Sequence, residues 1–192
     1  NAPTRPLLVG ASGLAKALAK VTGKNFVKSQ PLFEFCPSRI LVLVGSQQVV
    51  TRKQVEFLAA KGVLVNEAES ENLPNLPEAE VCAVLLKPNS LLNAASNIRK
   101  RSQISHKIRL WLKSSSADSL IIVGGLTARL VFEAFGAKRW NLLGSLLPGM
   151  PFGIVQSQDR NFLVATKAGG FGTKQTLWRA VIALKNRCSG KV

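Results

Sequence analysis

One local pattern recurs along this chain: an apolar run, a glycine turn, a hydroxyl-bearing residue, then a helix-forming segment. It reads "LLVGASGLA" (7–15), "LVLVGSQQVVT" (41–51), "IIVGGLT" (121–127) and, richer in glycine and carrying a lysine, "VATKAGGFGT" (164–173). These residue types suit an oxyanion. Glycine lets the backbone come close to a phosphate and tolerates positive φ. The free N–H groups of a helix's first turn point at the anion, and the dipole adds roughly 0.3–1 kcal/mol at exposed sites. Ser46 and Thr127 stand at turn–helix junctions, and Lys167 could neutralise charge. Any one such turn is more often only a turn, but four in one small chain point to a phosphate-bearing ligand. None of them is a "GxxxxGK[ST]" loop, and none is a "GxGxxG" fingerprint placed between strand and helix. Thr51 and Gln54 have capping-box spacing, so Thr51 reads first as a helix cap and only second as a ligand contact.

Other chemistries have little support. His106 is the one histidine, which excludes a histidine-based metal cluster within the chain, and it reads as a solvated side chain on a basic helix. Carboxylates are scarce and concentrated in 67–80, so an internal acid–base pair is not expected, and "GxSxG" is missing. Cys36, Cys82 and Cys188 are odd in number and far apart, which gives neither a disulfide framework nor a zinc signature. A reducing compartment fits them, with Cys82 as a small core residue.

The formal charge of +16 favours polyanions or an acidic partner domain. The run Arg99, Lys100, Arg101, His106, Lys107, Arg109 could follow a phosphate backbone, although a charged solvent face is the preferred reading. Trp111 reads as packing. A basic nucleic-acid-binding module is therefore kept as the last alternative, because the charge is spread along the chain.

The elements that must position the turns follow from periodicity. Strands are expected at 6–10, 39–45, 62–66 and 81–87, and again in the apolar run before Gly124. The pair 152–156 and 162–166 forms a hairpin around "SQDRN". Helices are expected over 12–23, from Thr51 to Gly62, from about Ser90 to Lys113, from Thr127 to Gly136, and over 174–187. Leu130, Val131, Ala134 and Phe135 turn inward on the fourth of these, and Leu177, Val181 and Leu184 on the last. The acidic stretch 67–80 reads as a loop. Strands alternating with helices imply an α/β fold: a largely parallel sheet flanked by helices, with a β-hairpin in the C-terminal part. In such a sheet, turns of this kind gather outside the carboxyl ends of the strands. The length fits one domain over 1–192, and no run reaches the roughly 20 apolar residues needed to cross a bilayer.

Taken in order, the turns resemble the nucleotide-binding, carboxyl-terminal domain of the four-carbon acid sugar kinase family. "GSQQVVTRKQ" (45–54) matches the family's "GSxSxxTxxQ", "GGLT" (124–127) its "GG[DE]T", "LPGMPFG" (147–153) its "LPGVPxG" and "TKAGGFG" (166–172) its "TKSGxFG". The start "GASGLAKALA" is similar to "GSAGLAxALA", and the resemblance runs from about residue 7 to 185. It implies an ATP site made by Ser46, by Gly124, Gly125, Leu126 and Thr127, and by Gly169 and Gly170, with Lys167 as a candidate for charge neutralisation and Mg2+ as companion ion. It also implies phosphoryl transfer to a sugar acid such as threonate, erythronate or 3-oxo-tetronate, in the cytoplasm. The acidic catalytic residue and the sugar-acid site would lie on a separate amino-terminal domain outside this chain. The sequence departs from the family pattern at three places: Leu126 replaces the acidic residue, Gln48 the second serine and Ala168 the serine after the lysine. A non-catalytic descendant is the alternative those departures favour.

Overall fold

The computed structural model describes residues 7–22, 36–70, 72–89, 91, 97–157 and 159–186. The chain divides into two compact units, Asn1–Leu32 and Phe33–Val192, each described by itself. In the first, helix α1 spans Ser12–Val21 after Ala11. Residues 7–10 form no strand, contrary to the reading of "PLLVG". A strand needs a neighbour to complete its ladder, and no described strand pairs with this run.

The second unit is built on one seven-stranded sheet. Its strands are β1 (Ile40–Val44), β2 (Leu64–Ala68), β3 (Val81–Leu86), β4 (Ser119–Val123), β5 (Trp140–Leu147), β6 (Met150–Gln156) and β7 (Asn161–Lys167), in the spatial order β2-β3-β1-β4-β7-β6-β5. β2, β3, β1, β4 and β7 pair in parallel, and β6 runs antiparallel to both neighbours. Among the described residues this unit has the helices α2 (Val49–Ala60), α3 (Ile98–Ser114), α4 (Gly125–Phe135) and α5 (Thr176–Lys185), and residues 88, 89 and 91 are also helical.

The central strands β1 and β4 are apolar but for Ser119, because both faces of the sheet are covered. Leu41, Leu43, Leu120 and Ile122 point to the side where α3 and α4 bring Ile104, Ile108, Leu130 and Val131. Ile40, Val42, Val44 and Val123 point to the other side, against Val55 and Leu58 of α2 and Leu177 and Val181 of α5. This is the expected α/β class, with the hairpin realised as β6–β7. Gly136 closes α4 in the left-handed region (φ 60°), as expected.

Several boundaries differ from the sequence reading: β2 lies two residues later than 62–66 and reaches into the expected loop at 67–80, and α4 begins at Gly125 rather than Thr127. α2 begins at Val49 rather than Thr51. The helical pattern expected from near Ser90 is not one helix: residues 88, 89 and 91 are helical, and α3 starts afresh at Ile98, where the Asn97 side chain accepts the Arg99 and Lys100 amides. Ile98 is then 73% exposed rather than part of the apolar face, and positions 92–96 lie outside the described residues. A further difference is β5, which periodicity did not reveal. Its pairing with β6 shifts register twice, and Pro151 sits in β6 opposite Ser145, so no even alternation marks the strand.

Candidate functional site

β1, β4 and β7 lie side by side and run the same way, so their carboxyl ends share one edge of the sheet. The turns that follow them are stitched together at that edge. The Gly45 amide donates to Val123 O at 3.0 Å, and the Gly124 amide donates to Lys167 O at 2.9 Å. After β1 the chain moves to one side, towards β2 and β3, and it then crosses over to β4 on the other side. The β1–β4 border is therefore the place where the order reverses and a crevice opens. The crevice measures about 430 Å³ and is lined by Gly45 to Gln48, Pro88, Leu91, Gly124 to Thr127, Gly169 and Gly170. Three of the four glycine turns read from the sequence thus meet at one site. The fourth, 7–15, belongs to the other compact unit.

Two of these glycines are demanded by contact. A Cβ on Gly45 would stand 2.0 Å from Thr127 Oγ1, and one on Gly169 would stand 1.9 Å from Ser46 Oγ. The three loops are close-packed against one another, and only hydrogen fits between them.

Thr51 and Gln54 do not form a capping box. With Gln48 as the N-cap residue of α2, Thr51 is the third helical position, and no side chain caps the helix. Both side chains are fully buried and reach across to the glycine loop. Thr51 Oγ1 donates to Gly169 O at 2.7 Å and lies 3.2 Å from Ser46 Oγ. Gln54 Nε2 donates to Phe171 O at 3.1 Å and to Thr173 O at 2.9 Å.

Lys167 is 2% exposed and sits behind the loop, outside the cleft lining. Its ammonium donates to Ala168 O at 2.7 Å and to Gly169 O at 3.1 Å. Burial pushes its pKa down to about 8. The Gly169 carbonyl is thus held inward by both Thr51 and Lys167. An oxygen that would repel an anion is turned away from it.

Among the described residues no charged side chain lines the cleft. What it offers is backbone. α2 and α4 both open at its rim, neither is closed by a side-chain cap, and neither carries an acidic residue in its first turn. Two positive helix ends and the amides of the glycine loops therefore face one space. Leu126 is half-buried, lines the cleft and packs on the α3–α4 side of the core. Pro88, Leu91 and Leu126 give the cleft an apolar component beside the amides.

The basic run lies elsewhere, on α3. Arg101 pairs with Glu133 at 3.3 Å, while Arg109 and Lys113 each pair with Asp159 at 3.2 Å. Hydrogen bonds from Arg109 and Lys113 hold the Asp159 carboxyl below its ordinary pKa. His106 is exposed, as expected. Trp111 is buried, its indole N–H donating to Pro74 O at 2.7 Å, which agrees with its reading as packing. Cys82 is a buried strand residue whose thiol is pushed up by burial. Cys188 lies outside the described residues.

Residues 83–177, which contain β4, α4, β7 and the turns between them, match a family model described as a nucleotide-binding C-terminal domain. A D-threonate kinase of Salmonella typhimurium is 26% identical over 98% of this chain and 50% of its own length. A 3-oxo-tetronate kinase of Actinobacillus succinogenes is 28% identical over 86% of this chain and 45% of its own length. The chain is similar, at low identity, to four-carbon acid sugar kinases. It spans about half the length of these relatives. The fold agrees as well: a domain of unknown function from Bordetella bronchiseptica superposes with a TM-score of 0.63 at 22% identity, over 79% of this chain and 42% of that one. Within the match to the nucleotide-binding C-terminal domain lie the double-glycine turn at 124–127 and the glycine loop at 168–172, while the serine turn at 45–48 comes before it. The fold unites all three.

Proposed function

We propose that this chain supplies the nucleotide site of an ATP-dependent kinase for four-carbon sugar acids such as threonate, erythronate or 3-oxo-tetronate. The observation that carries the proposal is the meeting of three strand-to-helix turns on one uncharged, amide-lined cleft at the β1–β4 border. Its volume falls within the range of about 300–1,000 Å³ usual for small-molecule sites.

In this reading the amides of Gly125, Leu126 and Thr127, together with the Ser46 turn, take the phosphate oxygens, while the Gly124 amide stays bonded to Lys167 O and fixes the turn. Gly169 and Gly170 close over them, held in shape by Thr51, Gln54 and Lys167 behind. The base rests on Pro88, Leu91 and Leu126. Phosphoryl transfer asks mainly for positioning and for stabilisation of charge on the transferred group, and this half of the enzyme provides the positioning. The sugar acid and the acidic group that activates its hydroxyl belong to a further part of the protein, in keeping with a chain that spans half of its relatives. Soluble metabolites of this kind place the enzyme in the cytoplasm, and no described helix is long and apolar enough to cross a membrane.

Calorimetry with ATP on this chain, followed by a phosphorylation assay with threonate and 3-oxo-tetronate on the full-length protein, tests the proposal. Saturable binding to the chain and turnover by the full protein are expected. No nucleotide binding to either would overturn it. A non-catalytic domain that binds nucleotide is the second reading, favoured by Leu126 and Gln48 at cleft positions where the family carries acidic and hydroxyl side chains. Phosphorylation of any tetronate by the full-length protein removes it.

A further inference from the structure

We infer that this cleft binds its nucleotide without a magnesium ion held by the chain. The inference rests on the proposed nucleotide site and concerns what neutralises the phosphates there. Mg2+ takes an octahedral shell of oxygens and is ordinarily held by one or two carboxylates together with substrate phosphates and water. The described residues lining the cleft include no Asp or Glu. Their side-chain oxygens are the hydroxyls of Ser46 and Thr127 and the amides of Gln47 and Gln48, all neutral.

Several of these oxygens are already engaged. Ser46 Oγ accepts the Gln48 amide at 3.4 Å and has Thr51 Oγ1 at 3.2 Å. Gln47 Oε1 accepts from Arg52, a cation beside the very oxygen a metal would need. Thr127 is 1% exposed and packed against Gly45. Glu56 and Glu67 line a different groove, which shares Gln47 and Pro88 with the cleft and is also lined by Arg52 and Lys87. Among the described residues no group of three or more His, Cys, Asp or Glu could hold a metal. The donor set does not fit the ion that the kinase family implies.

The same cleft is well arranged for a bare polyphosphate. The positive ends of α2 and α4 face it, and they disfavour a cation as much as they favour an anion. Leu126 decides the matter at one position. It is the second helical residue of α4, lines the cleft, and presents a hydrocarbon where a carboxylate would reach the phosphates. Magnesium in solution then competes with the protein for the phosphate oxygens instead of bridging to it.

The test is calorimetric titration of ADP into this chain, once in EDTA and once in excess magnesium chloride, with wild type and Leu126→Asp. For wild type the affinity is expected to be unchanged or weaker in magnesium. Tightening by more than about threefold, the resolution needed to exceed ordinary scatter, overturns the inference while leaving the nucleotide site standing. Absence of binding in both buffers removes the nucleotide site itself, and the inference with it. Leu126→Asp is expected to bind ADP about tenfold more weakly in EDTA, by like-charge repulsion, and to regain that loss in magnesium. A variant that binds equally in both buffers counts against Leu126 as the deciding residue. An acidic residue suits the first turn of a helix, and a circular-dichroism melt checks that the variant folds. The wild-type titration decides the main point whatever the variant does.

Discussion

Gly169 is the residue on which the cleft's closeness depends. Replacing it with alanine drives a methyl group to 1.9 Å from Ser46 Oγ, so the loop or the serine turn must move. A loss of about 1–3 kcal/mol in urea unfolding is expected, as for other overpacked sites, together with weaker nucleotide binding. Gly170→Ala is the control, since nothing lies within 4 Å of a Cβ there, and it should change stability by less than about 0.5 kcal/mol. Lys167 makes a different demand. Its folded pKa, about 8, lies below the ordinary 10.5, so the charged form is the one that burial penalises. Between those values the unfolded chain holds the proton and the folded chain has released it, so stability rises with pH across that window. Its stabilising contribution is complete above pH 10.5 and is lost as pH falls through 8. Denaturant midpoints measured from pH 7.5 to 10.5 should show this rise in wild type and lack it in Lys167→Met.

At the scale of elements, α2 is more than a cover for the sheet. Its second face carries Thr51 and Gln54, and these bind the backbone of a loop 117–119 residues further on. Thr51→Val keeps the shape but removes the hydroxyl, leaving one of the two donors to the Gly169 carbonyl. It should cost about 1–3 kcal/mol and speed amide hydrogen exchange in 168–173. Thr51→Ser retains the hydroxyl and should recover most of that loss. Were Thr51 a helix cap, the variants would instead change exchange at the first turn of α2. The hydrogen-exchange map separates the two cases.

For the whole molecule, the sheet order makes one site out of three distant segments. Saturating ADP should therefore perturb amide resonances at 45–48, 124–127 and 169–170 together, and leave the α3–α4 groove of Arg101, His106 and Arg109 unchanged. Because the ligand binds only the folded chain, a concentration of about 100 times Kd should add about 2.7 kcal/mol to stability. Shifts confined to the α3 groove would point instead to a polyanion held by the basic helix.

The amino-acid sequence alone was enough for whatever depends on neighbours along the chain. Apolar runs of four to six residues marked β1, β3, β4 and β7, since strands buried on both faces have little polar side to display. Glycine after strand marked the turns, and the parallel class of the sheet placed their carboxyl ends together. Other features depended on partners far away in sequence. β5 becomes a strand through its irregular pairing with β6, and its own pattern of exposure hides it. Thr51 and Gln54 kept the spacing of a helix cap while acting as struts, because the helix starts two residues earlier than the polar residues suggest. Lys167, which looked like a phosphate ligand by type and position, turns inward to two carbonyls. Residue type tells which bonds a side chain can make, but only the packing of β7 beside β4, and of its loop against α2, decides which bonds it does make.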